Sequence, residues 1–277
     1  MKFLVTYKAQ VAERIVAWKG PDDPSTGEFS ISGDPNSNFQ IIIWHGTRKY
    51  RRSILLDGVK VNGRAYESNT TSIMFQTEVI TEDEFYVLFT TSDGSPYLRV
   101  TLDYMGIISL WHWNTESSSW AVLAQSQVDC ARYASCGPFG YCDFTSVTPR
   151  CQCLDGFEPD GSNSSRGCRR KQDLKCGDGN HFLNLPGMIV PDKFLHIRNR
   201  SFDECAAECS SNCSCTAYTY ANLTGDGTMG NLSKCLLWTG ELVDTGKVTS
   251  GQNLYLRLAD VPSMLTFPPC SDTATVR

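Results

Sequence analysis

The first 129 residues of this 277-residue chain contain no cysteine, and no apolar run in the chain is long. Runs such as 41–44 and 85–89 fall far short of the roughly 18 to 20 residues that cross a bilayer, so no membrane span is predicted. The N-terminus lacks the apolar core of a signal peptide. Excess positive charge is also missing: the formal net charge is −5, which argues against binding nucleic acid or an anionic membrane.

Cysteine is concentrated in the second half, where all 13 cysteines lie between Cys130 and Cys270. This asymmetry predicts a first half that folds by burying a core and a second half that depends on cross-links. Cross-links of this density require an oxidising, extracellular compartment. Because the chain shows neither a signal peptide nor a span, the sequence is interpreted as a fragment of a longer extracellular protein, a truncated gene model.

Residues 1–128 have the pattern of antiparallel β-structure. Leu98, Val100 and Leu102 alternate with polar residues, which is the period of a strand with one solvent-exposed face. Turn-forming pairs separate the runs, at 57–58, at Asn62-Gly63 and at 93–94. The clearest predicted strands are 39–44, 73–80, 85–90, 97–103, 107–113 and 120–123.

Five of the six tryptophans lie in this half, namely Trp18, Trp44, Trp111, Trp113 and Trp120. They could form platforms that stack on sugars, or they could pack in the core and across strands. Packing is the favoured interpretation, because large rings dominate burial in sheets.

A first cluster of six cysteines has Gly and Pro between its members, which are Cys130, Cys136, Cys142, Cys151, Cys153 and Cys168. Spacings this short leave no room for a hydrophobic core, so disulfides are expected to replace one. Six cysteines can pair in many ways, and the sequence alone does not choose among them.

The second cluster comprises Cys176, Cys205, Cys209, Cys213, Cys215 and Cys235. One helix is predicted here, because Ser201 and Glu204 fit a capping box. Cys205 and Cys209 would share a face of that helix and reach a sheet formed by strands 216–220, 235–238 and 254–258. Zinc ligation is the alternative for the Cys-x-Cys pairs at 151/153 and 213/215. Disulfides are favoured because the usual two-residue ligand spacing is absent, and no metal or cofactor is predicted.

Six glycosylation sequons support an extracellular location, at Asn69, Asn163, Asn199, Asn212, Asn222 and Asn231. Asn212 is the doubtful one, because its sequon contains Cys213, whose disulfide would block modification.

Three segments resemble one plant family. The segment CGPFGYC at 136–142 with CQCLDGFEP at 151–159 resembles the EGF-like stretch of S-locus glycoproteins and S-domain (G-type lectin) receptor kinases. The cysteine pattern at 205–218 with CLLW at 235–238 is similar to their PAN/apple domain, and WKGPDDPSTG at 18–27 is similar to the end of their second bulb-type lectin domain. The resemblance covers about residues 1–260.

The resemblance implies a mainly β protein with these units: 1–46, a partial bulb-type lectin domain; 47–128, an S-locus glycoprotein-like β domain; 129–169, an EGF-like module; 176–259, a PAN/apple domain with one helix on a sheet; and 260–277, a divergent tail. It implies the pairs Cys130–Cys142, Cys136–Cys151 and Cys153–Cys168 in the EGF-like module. In the PAN/apple domain it implies Cys205–Cys235 and Cys209–Cys215 and leaves Cys176 with Cys213. Cys270 is left unpaired.

The function implied by the resemblance is non-catalytic recognition outside the cell. The expected partners are a protein or cysteine-rich peptide ligand and a second receptor chain, as a homodimer or heterodimer, in recognition of pollen or in defence signalling. The ligand-binding residues are not predicted, and no calcium site is expected at 125–129.

Other functions are weighed against this one. No kinase motif is present, so the chain is not expected to be an enzyme. The GDGTMG segment at 225–230 matches a dinucleotide-binding pattern but follows no predicted strand, so a loop is expected. None of the four histidines lies beside a recognisable nucleophile motif. The mannose-binding pattern of bulb lectins is absent, although a carbohydrate-binding protein, an inert fragment and a decoy remain alternatives.

Overall fold

The computed structural model describes residues 2–6, 11–12, 14–34, 37–53, 60–65, 73–80, 84–91, 97–126, 130–161, 166–177, 179–221, 234–249 and 251–260. Within these ranges the chain forms 22 β-strands and one α-helix, which confirms the mainly β prediction. Strands Ser37–His45, Ile73–Ile80 and Glu84–Thr91 cover three of the predicted runs and extend two of them by one or two residues.

Twelve of these strands precede residue 130: β1 Lys2–Thr6, β2 Val11–Ala12, β3 Ile15–Gly20, β4 Asp23–Asp34, β5 Ser37–His45, β6 Arg48–Arg52, β7 Lys60–Ala65, β8 Ile73–Ile80, β9 Glu84–Thr91, β10 Leu98–Leu102, β11 Ile108–Asn114 and β12 Ser119–Gln125. They form three antiparallel sheets, ordered β2-β1-β9-β8-β7, β3-β4-β5-β6 and β10-β11-β12. We call them the N-terminal sheets.

The remaining elements are β13 Gly140–Asp143, β14 Arg150–Cys153, β15 Phe157–Pro159, β16 Cys168–Arg170, β17 Asn180–Ile189, β18 Leu195–Ile197, α1 Phe202–Ser211, β19 Cys215–Ala221, β20 Lys234–Thr239, β21 Thr245–Lys247 and β22 Gln252–Ala259. We call 130–170 the first cysteine unit and 176–260 the second cysteine unit. Eight strands of the two units share one sheet, ordered β14-β13-β21-β17-β22-β19-β20-β18, and β15 pairs with β16.

A small core lies between two of the N-terminal sheets. Ala17, Phe29 and Ile43 are buried on the sheet β3–β6. Leu102 of β10 and Ile108 of β11 pack against them from the neighbouring sheet. Alternation along the strands thus places one apolar face of each sheet toward the other.

The turn predicted at Asn62-Gly63 is wrong. Both residues lie inside β7, where Asn62 pairs with Gln76 and Gly63 pairs with Phe75. An Asn-Gly pair tolerates a tight turn without requiring one, and continuous pairing with β8 outweighs this local preference. The other two predicted turns, at 57–58 and 93–94, lie outside the described residues.

The expectation that disulfides replace a hydrophobic core in the first cysteine unit is also wrong. Leu154 and Phe157 are 2% and 4% exposed, and they belong to the same buried cluster as Trp238 and Leu256 of the second unit. Phe139 stacks on Phe157 with ring centres 4.5 Å apart. The few apolar residues between the cysteines therefore pack into the neighbouring unit, which supplies most of the core.

A parallel strand pair makes this shared core possible. In β13, Cys142 lies opposite Gly246 of β21, so the hairpin of the first unit extends the sheet of the second unit. A side chain at Gly246 would approach Ile189 and Phe144 at 3.0 Å. Glycine thus permits the close approach of the two units at this position.

The predicted helix forms over Phe202–Ser211, and its capping box is confirmed. The hydroxyl of Ser201 accepts from the backbone N–H of Glu204, and the Glu204 carboxylate accepts from the backbone N–H of Ser201 at 2.7 Å. Cys205 and Cys209 are fully buried on the face that packs against β19 and β20.

Candidate recognition site and the junction that supports it

Six disulfides lie within the described residues: Cys130–Cys142, Cys136–Cys151, Cys153–Cys168, Cys176–Cys213, Cys205–Cys235 and Cys209–Cys215. These are the pairs that the resemblance implies. Cys205 and Cys209 join α1 to β20 and β19, which is the helix-to-sheet arrangement predicted from the spacing of the two residues. Cys270 lies outside the described residues.

One group of sulfur atoms has the spacing of metal ligands. The Sγ atoms of Cys130, Cys136 and Cys151 lie within 4.8 Å of one another. Each of the three is bonded in a disulfide, and zinc binds the thiolate form of cysteine. The group is therefore read as two adjacent disulfides.

A buried arginine joins the N-terminal sheets to the second cysteine unit. Arg52, at the end of β6, donates from Nε to Oδ2 of Asp244 at 2.5 Å. Its Nη2 donates to the carbonyl oxygen of Val190 at 2.7 Å. The Arg52 side chain is 1% exposed, so its charge depends on these partners for compensation.

Beside it, Lys49 of β6 lies between two buried carboxylates. Its Nζ is 2.9 Å from Oδ2 of Asp192 and 3.0 Å from Oδ2 of Asp34. Burial alone would lower the pKa of Lys49, but its bonds to Asp192 and Asp34 outweigh burial and raise that pKa. Lys49 therefore stays protonated at neutral pH and holds both carboxylates.

The first cysteine unit contacts the same network through Tyr133 and Ala134. The Tyr133 hydroxyl donates to Oδ2 of Asp192 at 2.7 Å, and the Ala134 N–H donates to Oδ1 of Asp244 at 2.8 Å. Burial, followed by this bond to Asp192, raises the pKa of Tyr133.

The carboxylate at the centre of the network has a shifted pKa. Burial would raise the pKa of Asp192, but the charge of Arg52 and two hydrogen bonds outweigh it and hold that pKa below its usual range. We call Asp34, Lys49, Arg52, Tyr133, Asp192 and Asp244 the junction network. Its members come from the sheet β3-β4-β5-β6 and from both cysteine units, so it connects these three parts of the molecule.

A small cleft opens where the two cysteine units meet. It has a volume of about 50 Å³ and is lined by Tyr141, Leu154, Asp155, Leu185, Pro186, Met188 and Lys247. Strand β17 changes register against β22 between Leu185 and Met188, and this irregularity forms one wall. The buried side chains of Leu154 and Met188 give the cleft an apolar floor, and the exposed residues Asp155 and Lys247 give it charged edges.

The size of the cleft limits its chemistry. Pockets that hold substrates or drug-sized ligands measure roughly 300–1,000 Å³. The cleft is several times smaller than this and suits a single side chain of a larger partner.

The tryptophans of β11 and β12 are packed against an arginine. The Arg99 guanidinium carbon lies 5.2 Å from the centre of the Trp111 ring and 4.3 Å from that of Trp120. Trp113 contacts Trp120 edge-on across the strand pair, with ring centres 5.6 Å apart. These contacts confirm cross-strand packing for the three rings, whereas the packing prediction is wrong for Trp18, which is 57% exposed.

Two surface histidines pair with carboxylates. His45 Nε2 lies 2.8 Å from Glu28, and His181 Nδ1 lies 2.7 Å from Asp260. Side chains in both pairs are about half exposed or more. The hydrogen-bond partner of each of these two histidines is therefore a carboxylate. The GDGTMG segment at 225–230 lies outside the described residues.

Two of the sequon asparagines can be placed. Asn199 is exposed with a positive φ of 55°, and Asn212 is exposed at the C-cap of α1. The Asn212 side chain accepts from the backbone N–H of Ser214, and its neighbour Cys213 is bonded to Cys176. Asn69, Asn163, Asn222 and Asn231 lie outside the described residues.

Two family models and several related plant proteins match this chain. The S-locus glycoprotein domain model matches residues 54–161, and the PAN-like domain model matches residues 176–245. The S-locus-specific glycoprotein S6 of Brassica oleracea is 32% identical over 271 residues, which are 94% of this chain and 60% of that protein. The chain is homologous to S-locus glycoproteins and G-type lectin S-receptor kinases over most of its length.

Receptor kinases show the same degree of similarity to this S-locus glycoprotein homologue. The receptor-like serine/threonine-protein kinase SD1-8 of Arabidopsis thaliana is 32% identical over 258 residues, covering 88% of this chain and 29% of the kinase. The G-type lectin S-receptor-like serine/threonine-protein kinase B120 of Arabidopsis thaliana is 31% identical over 265 residues, with the same coverage. The homologue thus spans less than two thirds of these relatives and covers only the ectodomain part of the kinases.

The PAN-like match includes α1 and all six cysteines of the second cluster. The S-locus glycoprotein match runs through most of the first cysteine cluster and ends before Cys168. The EGF-like module and the boundaries of the five predicted units therefore stay predictions. In the described part of the homologue, α1 is too short and too polar to cross a bilayer.

Proposed function

We propose that this homologue is a non-catalytic extracellular recognition module that binds a protein or cysteine-rich peptide ligand. The proposed settings are cell–cell or self recognition, including recognition of pollen, and defence signalling. The observation that carries the proposal is the junction network, whose buried hydrogen bonds and ion pairs connect three parts that are far apart in sequence.

Rigidity favours binding for a physical reason. A surface held by disulfides and buried ion pairs loses little conformational freedom when a partner docks, so more of the contact energy remains as affinity. A protein ligand also suits the dimensions of the site, because a cleft of about 50 Å³ accommodates one side chain. The relatives support the setting, since they include S-locus-specific glycoproteins and receptor-like kinases.

The cleft between the cysteine units is the proposed anchoring point. An apolar side chain of the ligand would contact the floor formed by Leu154 and Met188. Asp155 and Lys247 at the edges would select charged groups next to that side chain. Anchors that fill a desolvated pocket dominate the energy of many interfaces.

The test uses the full chain, secreted and oxidised, with a panel of synthetic, oxidised cysteine-rich peptides from the source plant as probes. We expect saturable binding of at least one peptide by interferometry. Lys247→Glu should weaken that binding tenfold or more, because it reverses the charge at the edge of the cleft. The matched control is Lys175→Glu, an exposed lysine that does not line the cleft and whose carbonyl oxygen is bonded to Asn180, at the start of β17.

Two results would reject the proposal. One is a panel in which no peptide binds saturably to a chain whose disulfides are intact. The other is a chain that hydrolyses or modifies the peptides, with loss of turnover on substitution of a single histidine.

A further inference from the structure

Segment 166–177 is positively charged in a chain that is acidic overall. The formal net charge of the whole chain is −5, but this segment has one carboxylate, Asp173, against five cations: Arg166, Arg169, Arg170, Lys171 and Lys175. Arg169 is compensated by Glu158, whose carboxylate lies 2.8 Å from its guanidinium. The net charge of the chain therefore conceals a local positive region.

The segment lies beside the cleft between the two cysteine units. The backbone N–H of Lys171 donates to the carbonyl oxygen of Gly156, which follows the cleft residue Asp155. Lys175 lies toward the other end of the segment, where its carbonyl oxygen accepts from the side chain of Asn180 at the start of β17. The cations next to the cleft are thus those around 170 and 171.

Arg170 of β16 and Arg257 of β22 lie close together without a carboxylate partner. Nη1 of Arg170 donates to the backbone carbonyl oxygen of Arg257 at 2.8 Å. Arg257 is 4% exposed, and its Nη1 donates to the carbonyl oxygen of Asn212 at 2.9 Å. Among the described residues neither guanidinium forms an ion pair, so both charges are held by backbone carbonyl groups and by aromatic rings.

The rings fix the position of the Arg170 guanidinium. Its central carbon lies 4.7 Å from the centre of the Phe157 ring and 5.7 Å from that of the Phe139 ring. A guanidinium held in this way loses little conformational freedom when a ligand binds. Its planar fork of N–H groups matches the two oxygens of a carboxylate.

The electrostatics of this pair favour an anion. Burial, followed by the charge of Arg257, lowers the pKa of Arg170 to about 10, whereas the charge of Asp173 raises it. Arg170 therefore stays protonated at neutral pH although a second guanidinium repels it. Asp155 and Asp173 are exposed, where solvent screens their charge. An anion beside Arg170 would relieve the repulsion, and a further cation would increase it.

We propose that Arg170 and Lys171 bind carboxylate groups of an acidic peptide segment, and that the buried charge of Arg257 adds to the attraction. The inference rests on the proposed function, because a peptide anchored in the cleft reaches these residues directly. A peptide is favoured over an acidic polysaccharide by the apolar floor of the cleft, formed by Leu154 and Met188. A polymer of uronic acids carries carboxylates but no apolar side chain for this floor.

Binding of three probes to the full chain, secreted and oxidised, tests the proposal. The probes are a peptide of one leucine followed by nine glutamates, the same peptide with glutamine in place of glutamate, and a ten-residue oligogalacturonate. We expect the glutamate peptide to bind saturably by interferometry and to bind less tightly as the salt concentration rises. The other two probes should bind more weakly by about tenfold or more.

Neighbouring substitutions should change the affinity for the glutamate peptide in opposite directions. Arg170→Gln should weaken binding by about tenfold, because it removes a fixed, charged donor. Lys171→Gln should weaken it by about threefold and Asp173→Asn should strengthen it by about threefold, and both residues are exposed, so these variants fold. The matched control is Arg48→Gln, an exposed arginine on β6, which should leave the affinity unchanged.

Three results would overturn the proposal: equal affinity for the glutamine peptide, equal or tighter binding of the oligogalacturonate, or an affinity unchanged by both Lys171→Gln and Asp173→Asn. None of these rejects the proposed function if a cysteine-rich peptide still binds and depends on Lys247. A panel of cysteine-rich peptides without any binder rejects the proposed function, whatever the glutamate peptide does. Folding of each variant is checked by its disulfide map.

Discussion

Arg52 and Asp244 are 192 residues apart in the chain, and their side chains meet at 2.5 Å. The arginine ends a strand of an N-terminal sheet, and the aspartate precedes a strand of the second cysteine unit. The Asp244 backbone carbonyl also accepts from Nη2 of Arg52. One side chain thus fastens two distant parts of the molecule through both a carboxylate and the backbone.

Replacing this arginine tests the importance of the junction network. Arg52→Met keeps much of the side-chain volume but leaves Asp244 without its cation, so we expect a loss of about 3–5 kcal/mol in the free energy of unfolding. Urea denaturation measures it. The control is Arg48→Met, an exposed arginine on the same strand, for which no more than about 0.5 kcal/mol is expected. Equal losses for both variants would show that Arg52 has no special role.

The pH dependence of the free energy of unfolding should reveal the contribution of the ionised Asp192 carboxylate. Its folded pKa lies below its usual range, so the carboxylate contributes stability above its unfolded pKa of about 4, and this is lost as pH falls through the folded pKa. We expect Asp192→Asn to be less stable than the unmodified chain at neutral pH by about 2–4 kcal/mol. The gap should shrink below about pH 4.

Urea midpoints across a pH series measure this gap. Asp22→Asn, at an exposed aspartate, serves as the control and should give no comparable gap at any pH. A gap for Asp192→Asn that stays constant down to pH 2 would contradict the assigned direction of the shift.

The two disulfides of the helix should differ in their contribution to stability. Cys205 and Cys235 are 30 positions apart and Cys209 and Cys215 are 6 positions apart, so with both cysteines included the disulfides close loops of 31 and 7 residues. Because the chain-entropy model gives more stabilisation for longer loops, we expect losses of roughly 3.7 and 2.4 kcal/mol when each pair is changed to alanine. Denaturation midpoints measure both, and each pair serves as the control for the other. The reverse order would show that chain entropy does not dominate here.

The cap of α1 should also be measurable. Ser201→Ala removes the hydroxyl that accepts from the Glu204 N–H, and we expect the Tm to fall by about 2–4 °C. Ser210→Ala changes an exposed serine near the other end of the helix and should leave the Tm within about 1 °C. Calorimetry compares them, and an unchanged Tm for Ser201→Ala would argue against the cap as a stabilising feature.

Local patterns in the sequence predicted local structure well. Alternation predicted β10, and the residues Ser201 and Glu204 predicted the start of the helix, because both depend on neighbours within a few positions. The disulfide pairs required knowledge of a related family, since spacing alone left many pairings open.

The contacts between residues far apart in the chain could not be predicted from the sequence. Nothing around Arg52 or Lys49 indicates that Arg52 bonds to Asp244, 192 residues away, or that Lys49 bonds to Asp192, 143 residues away. The shared core was missed because the first cysteine unit was considered alone, whereas Phe157 packs in the same cluster as Trp238. Trp18 was misjudged for a related reason: ring size predicts burial only when a neighbouring strand is present to cover the ring.

The pairing of β13 with β21 also restricts where the chain can be truncated to express one of its domains alone. A truncation between 170 and 176, meant to isolate the PAN-like region, would strip the hairpin from one side of its sheet and open the β21 edge to solvent. It would also uncover the cluster around Trp238 where Leu154 and Phe157 now pack. Expression as an isolated domain should then yield aggregates, so vectors for biophysical work should begin upstream of Cys130.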